Sequence, residues 1–480
     1  MRLIYHPLFL ISLYLFLHAF IRLYFGNSIQ VDDREQILLA QEFNLGYGIP
    51  QPPLYSWLSF IFFKFLGANL FALTTLKYSL IFATFYYIHK ISRYLFQLDS
   101  FSKLTTFSFL FLPSLGWHMH QGFTHTIILG LGIIMTTYYT LRISESQSPR
   151  LFLLLGVSIA IGLLGKYSFL FFLILIMLTI LTIDKFRTPF LSWKSLLALA
   201  IFLIITGPHL LWLQDNWQWV FKMASERLNI DSHNLSTFDV LGKLSTSYLG
   251  FIGPLIIMIF ISNLDKFGKA ISQREKSSNE LFFRNFFLIL FVLTILFSLS
   301  FEIKHIKVRW LHPLLMIIPF WFFEIINRYK GFNDRGEKFF NLGLVFLFLF
   351  IILFRLVQNT VAPQFGYSGR LNVPIIETLQ ELKESQKVNV SFLRTPDFNL
   401  GAHLFSVFDT STIVINGKKF NTNRQTNNDR CLIIFDNDGS SDVSLKKMEG
   451  KYGEFEKFKS KNSYLNYSIF YKYINIKSCI

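Results

Sequence analysis

The first polar stretch of the chain holds two adjacent carboxylates, Asp32 and Asp33, within VDDREQILLAQEFNLGYGIPQPPLYSWL. A carboxylate held in a fixed position can accept a proton from a substrate. The Gly-Tyr-Gly turn and the two prolines after Gln51 restrict the backbone and favour such a rigid loop. The alternative is structural, because an aspartate ahead of EQILLAQEF can cap the N-terminus of a helix. The local sequence leaves both interpretations open.

Clustered cations form a second candidate site in EIKHIKVRW, where Lys304, Lys307 and Arg309 surround His305. A solvated surface loop accounts for one or two such cations. Three or four of them at a membrane edge favour a bound anion, most simply a lipid phosphate.

Lys77 and Lys166 are the isolated cations that are hardest to place in an apolar chain. A charge at bilayer depth is costly and usually faces a cavity or a partner. Lys77 lies about 12 Å into its apolar run, so its ammonium reaches the headgroups only partly by snorkelling. Lys166, in GLLGKYS, falls at a turn between two runs, where simple exposure is the alternative. The string is not a phosphate-binding P-loop, because Ala160 and Tyr167 break that motif.

Histidines cluster in WHMHQGFTHT, at positions 118, 120 and 125. Their spacing permits a metal site, but no cysteine or carboxylate joins them locally, and aromatic-rich interfaces commonly hold amphipathic histidines. His209, in GPHLLW, fits a buried, hydrogen-bonded histidine equally well.

Composition defines the setting of these residues. Of 480 residues, 52% are hydrophobic, 57 are Phe and only 16% are charged, whereas soluble domains carry about 25% charge. The net charge of +16 comes in short groups between apolar runs, which argues against nucleic acid as a partner and for a polytopic membrane protein.

Eleven apolar runs are predicted to span the bilayer. They lie near residues 8–25, 69–89, 104–117, 124–142, 151–164, 167–183, 195–213, 247–263, 281–301, 310–326 and 339–357.

Orientation follows from the basic loops, which stay cytoplasmic. Lys and Arg dominate one alternating set of loops, whereas residues 26–53 are acidic, so the N-terminus is predicted inside and the Asp32 loop outside. The apolar stretch 54–66 is predicted to lie in the membrane interface.

Residues 358–480 are more polar and are predicted to form a small extracytoplasmic α/β domain that follows a membrane domain at 1–357. Its Cys431 and Cys479 can pair in an oxidising compartment.

The strings VDDREQILLAQEFNLGYG, QPPLYSWL, THTIILGLG, GLLGKYSF, GPHLLWL and RWLHPLL occur in that order over residues 31–315. Together they resemble the bacterial glycosyltransferases of the protein O-mannosyltransferase superfamily. This is the GT-C fold group that includes the lipid A aminoarabinose and galacturonic acid transferases.

The resemblance implies an integral enzyme of the bacterial inner membrane. It would move a sugar from a polyprenyl-phosphate carrier to an envelope acceptor, namely lipid A, another glycolipid or a protein, with inversion at the anomeric centre. Asp32 aligns with the catalytic carboxylate of the family, and Asp33 with its acidic neighbour. The cations at 304, 307 and 309, with Lys77 and Lys166, would then hold the phosphate. Tyr47, His125 and His209 fall in the matching strings as acceptor-binding or structural candidates.

Two positions depart from the family pattern. Gln51 stands where one branch has Lys or His before Pro-Pro, so a phosphate contact is lost there or supplied by Lys307. His118 and Gly122 stand where relatives often have Glu and Asp. The sequence therefore predicts no metal ligands, although a divalent cation stays open.

Two other functions share these features. A flippase or transporter of lipid-linked glycans would recognise the same phosphate without making a bond, although transporters usually show inverted repeats and helices broken at mid-membrane. An oligosaccharide ligase would transfer a whole glycan and release a pyrophosphate. The gathering of acidic and aromatic residues at one face favours chemistry at a surface.

Overall fold

The protein is described by a computed structural model. The described residues are 6–26, 28–47, 49–229, 237–263, 275–300, 308–329, 331–367, 373–387, 390–408, 412–415, 418–421, 430–436, 449–459 and 467–475.

Helices make up most of the described chain. In order, they are α1 Pro7–Tyr24, α2 Val31–Leu39, α3 Leu54–Leu66, α4 Leu70–Leu95, α5 Asp99–Ser108, α6 Pro113–Gly116, α7 His125–Ile143, α8 Pro149–Gly165, α9 Phe169–Leu181, α10 Asp184–Phe190, α11 Ser195–Asn229, α12 Thr237–Ser262, α13 Ser278–Ser300, α14 Val308–Leu315, α15 Ile318–Arg328, α16 Asp334–Thr360, α17 Ile375–Ser385 and α18 Phe398–Val407. Short 3-10 turns cover Phe109–Phe111, His118–His120 and Ala362–Phe365.

Seven helices in the described ranges are long and apolar enough to cross a membrane, namely α1, α4, α7, α11, α12, α13 and α16. Each of them coincides with one of the eleven predicted spans. An eighth is added if α9 and α10 count as one span, bent by 112°. The protein is therefore a multi-pass membrane protein, as composition predicted.

Proline explains why two predicted spans are not single helices. In the 104–117 run, Leu112 precedes Pro113 and adopts an extended conformation (φ −78°, ψ 121°), because the proline ring disfavours the helical region for the residue before it. In the 310–326 run, α14 contains Pro313, and α15 starts next to Pro319. Neither run continues as one helix, because a proline lacks the N–H that an unbroken helix needs.

Close helix packing surrounds α7, which is the most buried of the membrane-length helices in the described ranges. Gly132 on α7 faces Gly162 on α8, and a side-chain carbon at either position would overlap its neighbours. The glycines of THTIILGLG and GLLGK therefore permit two backbones to approach, as small residues do at membrane helix interfaces.

Two compact units make up the chain. The first unit comprises Met1–Leu15, Asn44–Tyr55 and Ser79–Ile351, and the second comprises Phe16–Phe43, Ser56–Tyr78 and Ile352–Ile480. The predicted domain boundary at residue 357 stays a prediction. Asp32, Asp33 and Lys77 belong to the second unit, whereas Gln51, Lys166 and His209 belong to the first.

The C-terminal part of the second unit contains, among its described residues, a six-stranded mixed sheet in the order β3-β2-β1-β4-β6-β5. The strands are β1 Phe392–Thr395, β2 Thr412–Ile415, β3 Lys418–Asn421, β4 Arg430–Asp436, β5 Glu456–Lys459 and β6 Ser468–Asn475. Strand β1 pairs in parallel with β2 and β4, and the other pairs are antiparallel. Helix α18 connects β1 to β2. The small α/β domain predicted from composition is confirmed.

Cys431 lies on β4, fully buried and disulfide-bonded. Cys479 lies outside the described residues, and the pairing of the two cysteines stays a prediction.

Candidate active site

The two adjacent carboxylates lie in the first turn of α2. The residue that caps the helix is Gln30, which makes no side-chain cap hydrogen bond. Asp32 and Asp33 therefore follow the cap, where negative charge is stabilised by the free backbone N–H groups and the helix dipole. Asp33 is buried, and Asp32 is half-buried. The two carboxylates thus differ in their access to solvent.

A buried ion pair fixes Asp33. The Lys77 ammonium on α4 lies 3.0 Å from one carboxylate oxygen of Asp33 and 3.1 Å from the other. The side chains are 6% and 2% exposed. Lys77 therefore reaches a carboxylate within the protein, an arrangement that requires neither snorkelling to the headgroups nor exposure. The pair joins α2 to α4 and neutralises the charge of Asp33.

A second buried contact joins α2 to α3. The hydroxyl of Ser56 donates a hydrogen bond of 2.7 Å to the side-chain oxygen of Gln36. With the Asp33–Lys77 pair, it attaches α2 to the two following helices at points about one turn apart. The orientation of α2, and with it the position of Asp32, is therefore set by side chains other than Asp32 itself.

The C-terminal domain supplies a further contact to this helix, which no sequence motif indicates. The backbone N–H of Ile29, two residues before α2, donates a hydrogen bond of 2.9 Å to Nε2 of His403. His403 lies on α18, is fully buried, and belongs to a helix that packs against α2. Local patterns do not mark His403, because its partner is 374 residues away.

We expect His403→Phe to loosen the start of α2. The side chain stays aromatic, but the buried N–H of Ile29 loses its acceptor, which costs about 1–3 kcal/mol. Hydrogen exchange of residues 28–39, followed by mass spectrometry, should become faster. His403→Gln retains an acceptor oxygen and should exchange more slowly than His403→Phe. Equal exchange in wild type and in His403→Phe would contradict the positioning role of this histidine.

In the first unit, His209 joins three of the strings singled out in the sequence. Its Nδ1 lies 2.8 Å from the backbone oxygen of Leu45, and its Nε2 lies 2.9 Å from the hydroxyl of Tyr167. A carbonyl only accepts, so Nδ1 carries the proton and Nε2 accepts from Tyr167. His209 thus connects the GPHLLW helix to the NLGYG turn and to GKYS. It is a buried, hydrogen-bonded histidine.

The NLGYG turn is further held by its own residues. Tyr47 is buried, and its hydroxyl accepts a hydrogen bond of 3.3 Å from the backbone N–H of Asn44. Burial raises the pKa of the Tyr47 hydroxyl above its usual value, so the hydroxyl stays protonated. A side-chain carbon at Gly46 would overlap the indole ring of Trp212 on α11. This turn therefore packs directly against the GPHLLW helix.

We expect Gly46→Ala to destabilise the protein by about 1–3 kcal/mol, because the added methyl must displace the Trp212 ring. Gly207→Ala, on the same helix as Trp212, is the matched control, because nothing lies within 4 Å of a side-chain carbon there. Thermal unfolding in detergent compares the two variants. An equal melting temperature for both would show that the turn does not pack as described.

The remaining predicted residues of the first unit lie on α7, at the end of α8 and in the first loop. The ammonium of Lys166 donates a hydrogen bond of 3.1 Å to the hydroxyl of Thr126. The ring of His125 lies 5.8 Å from that of Tyr55, measured between centroids. Gln51 is half-buried just before α3. Lys166 thus joins GLLGKYS to THTIILGLG, in addition to the phosphate contact predicted for it.

The predicted cation cluster lies largely outside the described residues. This applies to Lys304 and Lys307, whereas Arg309 lies in the first turn of α14. Their binding of phosphate stays a prediction.

The described residues contain no group of three or more His, Cys, Asp or Glu side chains that could hold a metal ion. The histidines of WHMHQGFTHT make other contacts. His118 stacks with the ring of His312 at 6.1 Å between centroids, and Nε2 of His120 lies 3.1 Å from the hydroxyl of Tyr14.

Comparison with known proteins gives the class. Residues 50–212 match the family model described as dolichyl-phosphate-mannose-protein mannosyltransferase. The fold is shared with ArnT from Cupriavidus metallidurans, solved with undecaprenyl phosphate bound. The TM-score is 0.63 at 11% identity, over 96% of this chain and 97% of that one. Together with the curated relatives, these matches show a membrane glycosyltransferase that shares the fold of ArnT, as the sequence motifs predicted.

The relatives are two lipopolysaccharide core galacturonosyltransferases of Rhizobium johnstonii. RgtB is 27% identical over 380 residues, which cover 78% of this chain and 76% of RgtB. RgtA is 25% identical over 412 residues, which cover 85% of this chain and 81% of RgtA.

Proposed function

We propose that the protein transfers a single sugar from a polyprenyl-phosphate carrier to a cell-envelope glycolipid. The names of its relatives support this proposal, because RgtA and RgtB are lipopolysaccharide core galacturonosyltransferases and ArnT was solved with undecaprenyl phosphate. A glycolipid acceptor such as lipid A fits these relatives better than a protein acceptor. The family-model match, described as a protein mannosyltransferase, keeps a protein acceptor as an alternative outcome of the test.

Asp32 is the general base in this proposal. The observation that supports this role is the difference between the two carboxylates of α2. Asp33 is neutralised by Lys77, whereas Asp32 stays half-buried. Successive residues point about 100° apart around a helix, so Asp32 and Asp33 lie on different parts of the surface of α2. A carboxylate that is held in position and that a substrate can reach can take the proton of an acceptor hydroxyl.

The reaction is a single displacement with inversion. The acceptor hydroxyl oxygen forms a bond to C1 of the sugar, and its proton passes to the Asp32 carboxylate. The bond between C1 and the phosphate oxygen breaks, and its electron pair leaves with the polyprenyl phosphate. Cations already in place stabilise the charge that develops on this leaving group. The candidates from sequence for that task are Lys304, Lys307 and Arg309, with Lys166 and with Lys77, which the structure pairs with Asp33.

The proposed location is the bacterial inner membrane, with the N-terminus in the cytoplasm. The Asp32 loop and the C-terminal domain then face the extracytoplasmic side, where lipid-linked sugars and envelope acceptors meet. The distribution of Lys and Arg among the loops supports this orientation.

The test is a reconstituted assay. Purified protein in liposomes receives undecaprenyl phosphate carrying galacturonate, aminoarabinose or mannose, together with lipopolysaccharide as acceptor. Mass spectrometry of both lipids should show the acceptor heavier by one sugar residue and an equal amount of free undecaprenyl phosphate. Sugar-lipid that changes leaflet but keeps its mass would instead identify a flippase. Release of undecaprenyl pyrophosphate from a glycan donor would identify an oligosaccharide ligase.

A further inference from the structure

In the second unit, the C-terminal parts of two helices each bring a pair of polar side chains into a buried position. On α1 the pair is His18 and Arg22, and on α16 it is Arg355 and Asn359. All four are at most 7% exposed. Residues four apart lie on the same face of a helix, so each pair forms a short polar stripe. We call these four residues the arginine cluster.

The stripe on α16 is exceptional for its helix. Most large apolar side chains of α16 are exposed, including Phe346, Leu349 and Leu353, as expected of a helix that faces lipid. Arg355 and Asn359 face the other way. Ionisable residues in membrane segments usually mark functional sites, because their burial costs free energy.

The contacts of the cluster leave several donors unused. Nη2 of Arg22 donates to the backbone oxygen of Ser28 at 2.8 Å, and Nη1 of Arg355 lies 3.5 Å from Nδ1 of His18. Nη1 of Arg22, Nη2 of Arg355 and both amide atoms of Asn359 are buried with no hydrogen-bond partner in the described part of the structure. Three of these atoms are donors and the amide oxygen of Asn359 is an acceptor, and buried polar atoms of both kinds are normally satisfied. Their number in one place indicates that a ligand completes the site.

The buried charged side chains of the second unit indicate whether that ligand is an anion or a cation. Among its described residues, the buried side chains of Lys, Arg, Asp and Glu are Arg22, Lys77 and Arg355 against Asp33 alone. Arg22 interacts electrostatically with both Asp33 and Arg355, so these charges share one region. Arginine stays protonated in proteins. The excess of two buried positive charges therefore favours the binding of an anion.

We propose that the arginine cluster binds the phosphate of the polyprenyl-phosphate carrier once the sugar has left. This inference rests on the proposed function. The sugar-linked carrier is a phosphodiester with one negative charge, whereas the free carrier is a monoester with about −1.5 to −2 at neutral pH. An excess of two positive charges matches the leaving group better than it matches the substrate. Guanidinium groups also present paired N–H donors that suit phosphate oxygens.

Differential charge matching of this kind favours catalysis. Interactions that strengthen as the bond to the sugar breaks lower the barrier, whereas equal binding of the substrate and the transition state does not. In the predicted orientation, Arg22 lies near the outer end of α1 and Arg355 near the outer end of α16. This is the level at which the phosphate of a carrier lipid enters from the bilayer.

Direct binding tests the proposal without any turnover. Full-length protein in lipid nanodiscs is titrated with undecaprenyl phosphate, and with undecaprenol as the probe that lacks phosphate. Arg355→Gln should weaken binding of undecaprenyl phosphate about tenfold or more, since charge-assisted hydrogen bonds are strong. It should leave binding of undecaprenol unchanged. Arg93→Gln, an exposed arginine on α4 paired with Asp99, is the matched control and should bind both lipids as wild type does.

Two further variants keep the proposal testable if Arg355→Gln fails to fold. Arg355→Lys keeps the charge but loses the paired donors, and Asn359→Ala removes only the amide. Each should weaken binding severalfold. The proposal is overturned if folded variants at 355 and 359 bind undecaprenyl phosphate with wild-type affinity. It is also overturned if free galacturonate, and not inorganic phosphate, displaces the lipid, because the site would then recognise a sugar carboxylate.

The binding titration separates this inference from the proposed function, because it requires no turnover. If the protein proves not to transfer sugar, the binding data still decide whether the cluster holds a lipid phosphate.

Discussion

Replacement of Asp32 by Asn is expected to slow sugar transfer by about 10²- to 10⁴-fold, the usual contribution of a general base. The asparagine has nearly the same shape, but its amide cannot accept the proton of the acceptor hydroxyl. Initial rates are measured in the liposome assay at saturating acceptor. Because Asp33, Lys77 and His403 hold α2, insertion and melting temperature should stay close to wild type.

The matched control for Asp32 is Glu42→Gln, which removes an exposed carboxylate from the same loop by the same change of atoms. It should leave the rate within about threefold, because no role in proton transfer is assigned to it. A wild-type rate in folded Asp32→Asn would end the assignment of Asp32 as the base. If Asp33→Asn alone abolished transfer without loss of stability, the base would be Asp33.

The second large effect concerns stability. We expect Lys77→Met to lower the free energy of unfolding by about 3–5 kcal/mol, because the buried Asp33 carboxylate loses the cation at 3.0 Å. Unfolding in a mixed-detergent titration measures this change. The double variant Lys77→Met with Asp33→Leu removes both charges, and should recover much of the loss.

The comparison of single and double variants gives the coupling energy of the pair. Lys166→Met is the control lysine, since Lys166 donates a hydrogen bond to the neutral hydroxyl of Thr126. Its expected cost is about 1 kcal/mol, the size of an ordinary hydrogen bond. If Lys77→Met cost no more than Lys166→Met, the pair would not hold α2 in place.

Membrane helices are largely predictable because a span of apolar residues is a local signal. Seven predicted spans coincide with membrane-length helices of the described ranges. The two proline-broken runs differ because the apolar signal continues across Pro113 and Pro319, while the helical backbone does not. Hydropathy measures the polarity of the side chains, whereas an unbroken helix also needs an uninterrupted series of backbone N–H donors.

Single site residues are easier to predict than their partners. The position of Asp32 and Asp33 ahead of a helix follows from a short string. The pairing of Asp33 with Lys77 spans 44 residues, and that of Ile29 with His403 spans 374. Such contacts are set by helix packing, on which a single sequence carries no local information. Arg355 escapes a hydropathy analysis because one cation in the apolar run 339–357 barely changes the mean hydropathy of that run.

The hydrogen bond between Ile29 and His403 has a consequence for protein engineering. Chimeras that exchange the C-terminal domain between relatives would also exchange the acceptor that holds the start of α2. The donor is a backbone N–H that either parent supplies, so such hybrids should hold α2 only when the incoming α18 carries an acceptor at the position of His403. A domain swap made at residue 357 that brings no such acceptor would leave the N–H of Ile29 buried and without its hydrogen bond.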